Sequence, residues 1–407
     1  MYQVKPISNT DMTIIETIKE RAQALFPRMT EYRRHLHRYP ELSFKEYNTA
    51  AYIQGILESC HIPYTKGVAG TGIVALLEGK RPEKKCIALR ADMDALPITE
   101  QNEVPYKSAH EGIMHACGHD VHTACLLGAM QILNGLRDHF EGTVKLIFQP
   151  GEEQSPGGAS LMIADGVLEQ PAVDGIIGLH VYPELPAGYL GFRSGEYMAS
   201  SDEIFITVKG RGGHAALPHK CIDPIVIAAN IIVSLQQLVS RKSNALVPTV
   251  LSFGKIQGGH TNNVIPDEVH LEGTLRTFDE PWRQEALQQI RTIAAHTAAA
   301  YGGEAVVHFP PGYPSLFNDH GFTKYLQGAA ADLLGKEHIT ELDRRMTAED
   351  FSFYTQQVKG CFFRLGTNKD HTSFTRPVHN ASFDVDESAM ITGAQAMAYL
   401  AYKALEE

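Results

Sequence analysis

Met114-His115-Ala116-Cys117-Gly118-His119-Asp120-Val121-His122 places a thiol, three imidazoles and a carboxylate within nine residues. We predict that a helix over residues 119–136 begins inside this stretch, after two buried strands. A further predicted strand, over residues 143–148, leads into Gln149-Pro150-Gly151-Glu152-Glu153. Thiol and imidazole ligands followed by adjacent carboxylates predict a metal hydrolase, in which one glutamate binds metal and its neighbour transfers protons.

The elements around these motifs predict an α/β fold. Helices are predicted at residues 12–39, 44–60 and 119–136, and strands at residues 72–77, 86–90, 143–148 and 175–180. This alternation favours a mixed, mostly parallel sheet that is flanked by helices. The polar residues cluster just after the carboxyl ends of strands, where open α/β sheets place their sites.

The pattern changes after Gly195. Strands are predicted at residues 202–209, 249–256, 268–277 and 305–309, and helices at residues 223–240 and 280–301. Their order, β-α-β-β-α-β, is that of a ferredoxin-like unit. A strand at residues 362–366 and a helix at residues 387–405 then return to the α/β pattern. We therefore expect a discontinuous catalytic domain, residues 1–197 and 311–407, with a ferredoxin-like domain, residues 198–310, inserted into it.

Composition narrows the class of protein. The chain has 407 residues, of which 43% are hydrophobic and 20% charged, as in a globular protein of two domains. Its net charge of -11 argues against nucleic acid or an anionic membrane as a partner. No apolar run approaches the about 20 residues of a membrane helix, and no signal peptide is evident, so we expect a cytoplasmic protein. The six cysteines contain no C-x-x-C pair and no disulfide framework.

The order of the motifs resembles that of the aminoacylase/carboxypeptidase family of dinuclear metallopeptidases. The order is Asp92-Met93-Asp94, Cys117-Gly118-His119, Glu152-Glu153, His180, Gly212-Gly213-His214 and His379-Asn380, with further matches at residues 33–44, 90–97, 258–266 and 348–351. The resemblance is to the amidohydrolase branch, which contains hippurate hydrolases, N-acetylamino-acid deacetylases and plant auxin-conjugate hydrolases. It covers nearly the whole chain.

This resemblance implies a centre of two divalent metal ions. Cys117 would bridge the ions, and the other ligands would be His119, Glu153, His180 and His379. Independently, imidazole and carboxylate suit zinc, manganese, cobalt or nickel, and a thiolate favours the softer of these metals. Glu152 is the predicted general base, because a carboxylate beside a metal-activated water can take its proton and pass it to the leaving amine. We expect Glu152 and Glu153 to point in opposite directions from an extended strand end.

Further residues have predicted roles around this centre. We expect Asp94 to fix the tautomer of a ligand histidine, with a solvated or capping aspartate as the alternative. The resemblance implies that His214 stabilises the oxyanion, in many relatives within the partner subunit's site. It also makes Asn263 and Arg276 candidates for binding the substrate carboxylate, which an arginine can hold through two hydrogen bonds. A site role for His122 stays open.

The resulting hypothesis is a metal-dependent amidohydrolase that cleaves N-acyl amino acids and forms a homodimer through its inserted domain, which would also act as a lid. A carboxypeptidase or dipeptidase would use the same centre. A cysteine hydrolase is disfavoured, because Cys117 and His119 are poorly spaced for a nucleophile and its base. A binding protein without activity is disfavoured because every expected catalytic position is filled. The motifs do not identify the acyl group, the amino acid or the metal.

Overall fold

The computed structural model describes residues 13–369 and 376–407. The helices are α1 (Ile14–Arg38), α2 (Tyr47–Ser59), α3 (His119–Asn134), α4 (Gly158–Ala164), α5 (Pro224–Gln237), α6 (Glu280–Ala300), α7 (His320–Leu334), α8 (Ser352–Thr355) and α9 (Ala389–Glu406). The strands are β1 (Tyr64–Val68), β2 (Gly72–Glu78), β3 (Cys86–Asp92), β4 (Thr143–Gln149), β5 (Gly175–Pro186), β6 (Leu190–Phe192), β7 (Gly195–Met198), β8 (Asp202–Lys209), β9 (Gly213–His214), β10 (Thr249–Gln257), β11 (Val264–Ile265), β12 (Glu268–Thr277), β13 (Glu304–His308), β14 (Leu316–Asn318), β15 (Ile339–Glu341) and β16 (Gly360–Asn368).

The larger sheet has eight strands in the order β1-β2-β4-β3-β5-β16-β6-β15. Its centre is parallel, since β3 pairs with β4 and β5, and β5 pairs with β16. Antiparallel pairs join β1 to β2, β2 to β4 and β16 to β6. The predicted mixed sheet is therefore confirmed.

Both faces of this sheet are buried, because alternate residues of one strand enter different clusters. Ile87 and Leu89 of β3 pack with residues of α1, α3 and α9. Cys86 and Ala88 of the same strand belong to a cluster on the opposite face. Arg90 and Asp92 share this second face with Cys86 and Ala88. The candidate site lies at this carboxyl end of β3.

A second, four-stranded sheet has the order β10-β12-β8-β13, and all its pairs are antiparallel. Helices α5 and α6 cover one face of it, with Ile227, Ile231 and Ile290 fully or almost fully buried. The order along the chain is β8-α5-β10-β12-α6-β13. The hydrophobic cluster under these helices contains only side chains from residues 204–309.

Several boundaries differ from those predicted. The first helix begins at Ile14, because Thr13 and Glu16 form a capping box, and residue 12 lies outside the described residues. Strand β5 continues past His180 to Pro186. Helix α7 is not among the predicted elements. Asp319 caps it, and the buried apolar residues Phe322, Leu326 and Leu333 lie at helical spacing.

One helical stretch of the described chain, Pro224–Lys242, has the length and hydropathy of a membrane span, with a mean hydropathy of 1.3. It comprises α5 and the π-helix Leu238–Lys242 that follows it. Its buried side packs on the four-stranded sheet through residues such as Ile227, Ala228 and Ile231. That packing explains the apolar residues on the buried face of this helix.

Candidate metal centre

The site forms where β3, β4 and β5 meet the start of α3. Gly118 directly precedes α3 and has φ 89°, a left-handed conformation that favours glycine. A Cβ at this position would come within 2.5 Å of Val181 Cγ2 on β5. The glycine of Cys117-Gly118-His119 therefore allows the chain to approach the sheet closely and to place the thiol and the imidazole on either side of the turn.

The five predicted ligands lie together. Sγ of Cys117 is 3.3 Å from Nε2 of His180, and Nε2 of His379 is 3.2 Å from Oε1 of Glu153. Cys117, His119 and His180 form one group whose ligand atoms all lie within 4.8 Å of one another. Cys117, Glu153 and His379 form a second such group. The thiol is common to both groups, which is the arrangement that a bridging ligand requires.

The hydrogen bonds of two histidines leave one nitrogen of each ring available for a metal. Nδ1 of His119 lies 2.9 Å from the backbone oxygen of Asp94, and Nδ1 of His180 lies 2.7 Å from that of Val181. Both partners are acceptors, so each Nδ1 carries a proton, which leaves Nε2 as the nitrogen that would bind a metal. Nε2 of His119 is buried and has no hydrogen-bond partner.

The electrostatics of the site also suit a cation. Burial disfavours a charged His119, but Asp92 and Asp94 outweigh it and raise the pKa of this imidazole to about 10. Burial and the neighbouring Glu153 hold the pKa of the Cys117 thiol well above its usual range. A nearby divalent cation reverses both effects, since it competes with protons for imidazole and thiolate. The donor set therefore fits two divalent ions.

Asp94 connects two of the predicted ligands. Its Oδ1 lies 3.2 Å from Nδ1 of His119. Its Oδ2 accepts hydrogen bonds from Oγ of Ser43 at 2.7 Å and from the backbone N–H of Glu153 at 3.0 Å. The carboxylate is 1% exposed, and although burial opposes the charge, the hydrogen bond from His119 helps to lower its pKa. Asp94 thus has the contacts of a residue that orients ligands.

Asp92 and His122 form a second buried pair beside the ligands. Nδ1 of His122 is 2.6 Å from Oδ1 of Asp92, and Nε2 accepts a hydrogen bond from the backbone N–H of Val181 at 2.9 Å. The pair thereby connects the start of α3 to the end of β3 and to Val181 within β5. The sequence motifs leave the role of His122 open and give Asp92 no role, although Asp92 shares its strand face with Arg90 and ends β3.

Glu152 and Glu153 do not extend from a strand end as predicted. Strand β4 ends at Gln149, so the two glutamates lie on a bend, and both carboxylates come within 4.8 Å of a ring nitrogen of His119. The expectation that they point in opposite directions is therefore wrong. Burial and the nearby carboxylate of Glu349 hold the pKa of Glu152 well above its usual range.

Behind Glu152 lies a charge cluster that is centred on Arg90. Its guanidinium is fully buried and lies 2.6 Å from Asp92, 2.7 Å from Asp350 and 3.0 Å from Glu349. These residues lie within the sequence motifs, but the motifs alone predict no role for them. Contacts between residues so far apart in the chain depend on the sheet that brings them together.

A cavity of about 1050 Å³ opens over this centre. Its lining includes Cys117, Glu152, Glu153, His180, His379, Arg276, Arg345 and Arg364. Arg276 therefore reaches the cavity from β12, as a substrate-binding role requires. His214 and Asn263 do not line it. His214 lies in β9 and Asn263 lies directly before β11. Both residues are exposed, and the backbone N–H of Ala215 donates to the backbone oxygen of Asn263 at 3.0 Å.

The fold and this donor set define a class of protein, the metal-dependent hydrolases with a two-metal centre at the carboxyl ends of the central strands of an α/β sheet. The sequence profile described as "Peptidase family M20/M25/M40" matches residues 88–403. An N-acetyl-L-cysteine deacetylase of Bacillus subtilis is 42% identical over 359 residues, which cover 88% of this chain and 84% of the deacetylase. Thermostable carboxypeptidase 1 of Saccharolobus solfataricus is 36% identical over 395 residues, or 96% of this chain and 99% of the carboxypeptidase.

Among solved structures, a Bacillus subtilis protein described as a dinuclear metal binding peptidase of the M20 family superposes with a TM-score of 0.81. It is 38% identical, and the match covers 94% of this chain and 99% of that protein. The chain belongs to peptidase family M20/M25/M40, which confirms the resemblance drawn from its motifs. It is a metal-dependent hydrolase of amides, of the amidohydrolase type.

Proposed function

We propose that this enzyme hydrolyses the amide bond of N-acyl amino acids at a centre held by Cys117, His119, Glu153, His180 and His379. The observation that carries the proposal is the pair of ligand groups that share the thiol of Cys117, beside Glu152, a buried glutamate that belongs to neither of these two groups. Two divalent ions bound there would polarise the amide carbonyl and lower the pKa of a water. The deacetylase relative supports this substrate class.

Glu152 is the proposed general base and acid. Its carboxylate lines the cavity, and burial beside Glu349 gives it a high affinity for a proton. It can therefore take a proton from the attacking water and deliver it to the departing amine nitrogen. Asp94 contributes by holding His119 and the backbone of Glu153 in place.

Arg276 is the proposed partner of the substrate carboxylate. It lines the cavity from β12, and its guanidinium can hold a carboxylate through two hydrogen bonds. Asn263 is proposed to assist it, and His214 to stabilise the oxyanion. Because His214 and Asn263 lie outside the cavity of their own chain, we propose that they act in a homodimer, where each subunit would supply them to the other.

Residues 198–310 are proposed to form an inserted ferredoxin-like domain that serves as lid and as dimer contact. Strand β10 is an edge strand of the four-stranded sheet and presents free backbone groups for pairing. Helix α5 leads into a short π-helix, Leu238–Lys242, that contacts β10, and α5 exposes Ile225, Val226 and Val233, the last of which is 71% exposed. An exposed apolar helix face next to a sheet edge supports a contact between two copies.

The test is amine release from a panel of N-acetyl amino acids and dipeptides, with zinc or manganese added and then removed by a chelator. Glu152→Gln is expected to retain bound metal, measured by elemental analysis, and to lose about 100- to 10,000-fold in kcat. Arg276→Met is expected to raise KM for N-acyl amino acids but not for their amides. Near-normal turnover by Glu152→Gln would remove Glu152 from the mechanism.

A second candidate function is that of a carboxypeptidase. The specific observation in its favour is the Saccharolobus relative named a carboxypeptidase, which matches 96% of this chain. The same panel separates the two functions. Release from dipeptides alone would establish the peptidase, whereas release from N-acetyl amino acids would establish the deacylase.

A further inference from the structure

Arg364 on β16 is a buried arginine without a carboxylate partner in residues 13–369 and 376–407. Its side chain is 3% exposed. Its Nε donates to the hydroxyl of Tyr197 at 2.7 Å, and Nη2 lies 3.1 Å from Sδ of Met198. A guanidinium has five N–H donors, and these two contacts use only part of them.

The other buried arginines of the described chain are all paired. Arg33 lies 2.9 Å from Asp120, Arg90 lies 2.6 Å from Asp92, and Arg283 lies 2.7 Å from Asp202. Pairing is the rule because a buried charge loses its hydration and needs compensation. Arg364 is the exception. The rings of Tyr197 and Phe362 lie 5.5 and 5.2 Å from its guanidinium, and Glu349 acts on it electrostatically without forming an ion pair, so a ligand can supply the close negative partner.

The position of Arg364 points to the substrate as that ligand. In the parallel pairing of β5 with β16, Arg364 is the direct neighbour of the proposed metal ligand His180. Paired residues on adjacent strands lie about 5 Å apart and share a face of the sheet. Both residues line the cavity over the metal centre. A group held by Arg364 would thus lie within a few bonds of the amide that is cleaved.

Arg276 and Arg364 approach the cavity from different sheets. Arg276 comes from β12 of the four-stranded sheet, and Arg364 comes from β16 of the larger sheet. If Arg276 binds the α-carboxylate, as proposed above, Arg364 remains for a second acceptor on the same molecule. A carboxylate is the group that best satisfies a buried guanidinium, since it offers two acceptor oxygens and a full charge.

We propose that Arg364 is a substrate-binding residue that holds a second carboxylate, and that the preferred substrates are N-acyl amino acids with two carboxylates. This inference rests on the proposed function. The second carboxylate could belong to an acidic amino acid side chain or to a dicarboxylic acyl group. Both sources share the chemistry that Arg364 recognises, and substrates can be matched to distinguish them.

The kinetic test uses two matched pairs of substrates. N-acetylglutamate and N-acetylglutamine differ in the charge of the amino acid side chain, and N-succinylalanine and N-butanoylalanine differ in the charge of the acyl group. In the wild type, the charged member of at least one pair is expected to have the higher kcat/KM. Arg364→Met should lower kcat/KM for that member by about 10- to 100-fold and change that of its neutral match by less than about 3-fold.

Two further variants separate a direct contact from a general effect. Arg364→Lys keeps the charge and should restore part of the preference. Arg345→Met removes the same charge from another arginine of the cavity, one that lies over the ring of Tyr182, and should leave the preference unchanged. Thermal melting and metal content show whether each variant is folded and loaded.

A binding measurement keeps the inference testable if no substrate is turned over. Calorimetry on zinc-loaded Glu152→Gln, with and without Arg364→Met, would compare the affinities for N-acetylglutamate and N-acetylglutamine, with the same comparison for the acyl pair. Loss of a charge preference on removing Arg364 supports the inference even if the proposed hydrolysis fails. Equal loss for both members of each pair, or no preference in the wild type, overturns it while leaving N-acyl amino acid hydrolysis intact.

Discussion

Replacement of Asp94 by alanine is expected to weaken metal binding while leaving every proposed ligand in the chain. The carboxylate holds Nδ1 of His119 at 3.2 Å and the backbone N–H of Glu153 at 3.0 Å. In Asp94→Ala, His119 keeps its hydrogen bond to the backbone oxygen of residue 94, at 2.9 Å, but loses the negative charge beside its ring. Both ligands then lose part of their orientation.

The magnitude follows from these contacts. Loss of a partner that orients a ligand lowers metal affinity by about 10- to 100-fold, which equals about 1.4–2.8 kcal/mol. Ser43 and the backbone N–H of Glu153 also lose a buried acceptor, and each loss lowers the free energy of unfolding by about 1–3 kcal/mol. The variant should therefore melt at a lower temperature in the absence of metal as well as bind metal more weakly.

The assay is competition for zinc with a fluorescent chelator, followed by kcat at saturating metal. Ser43→Ala is the matched control, because it removes a 2.7 Å hydrogen bond to the same carboxylate and leaves the charge in place. Its metal affinity should change by less than about 3-fold, since it loses a single hydrogen bond at the edge of the network. Wild-type affinity in Asp94→Ala would refute the role assigned to this carboxylate.

Two further predictions concern groups away from the metal centre. Burial opposes a charged His37, but Asp120 and Glu100, at 2.8 and 3.2 Å, outweigh it and raise its pKa. The stabilisation that the charged His37 provides is thus complete below its unfolded pKa of about 6.5 and is lost as pH rises through the higher folded pKa. His37→Gln should therefore lower the free energy of unfolding more at pH 6 than at pH 9, which urea titrations at the two pH values would show. Cys221 is partly exposed, whereas Cys125 is buried and its thiol has a raised pKa. Iodoacetamide should therefore label Cys221 in the native protein and Cys125 only after unfolding, as peptide mass spectrometry would detect. Labelling of Cys125 in the native protein would contradict its burial.

The periodicity of the sequence determined the fold class because each helix and strand buries a face of its own. The strands at residues 202–209 and 268–277 were predicted with the bounds that the structure has. Helix α7 is not predicted from the sequence, and Glu152 lies on a bend rather than at the predicted strand end. Bends and turns depend on local hydrogen bonds and packing that have no simple period in the sequence.

The residue types and the order of the motifs indicated the proposed ligands through the resemblance to a known family. Only the tertiary structure showed the distances that make Cys117 common to two ligand groups, the pairing of Asp92 with His122, and the position of His214 outside the cavity. The missing partner of Arg364 is likewise a property of the folded chain. A motif records which residues are present, whereas burial, distance and the lack of a counter-charge arise only when strands distant in sequence become neighbours.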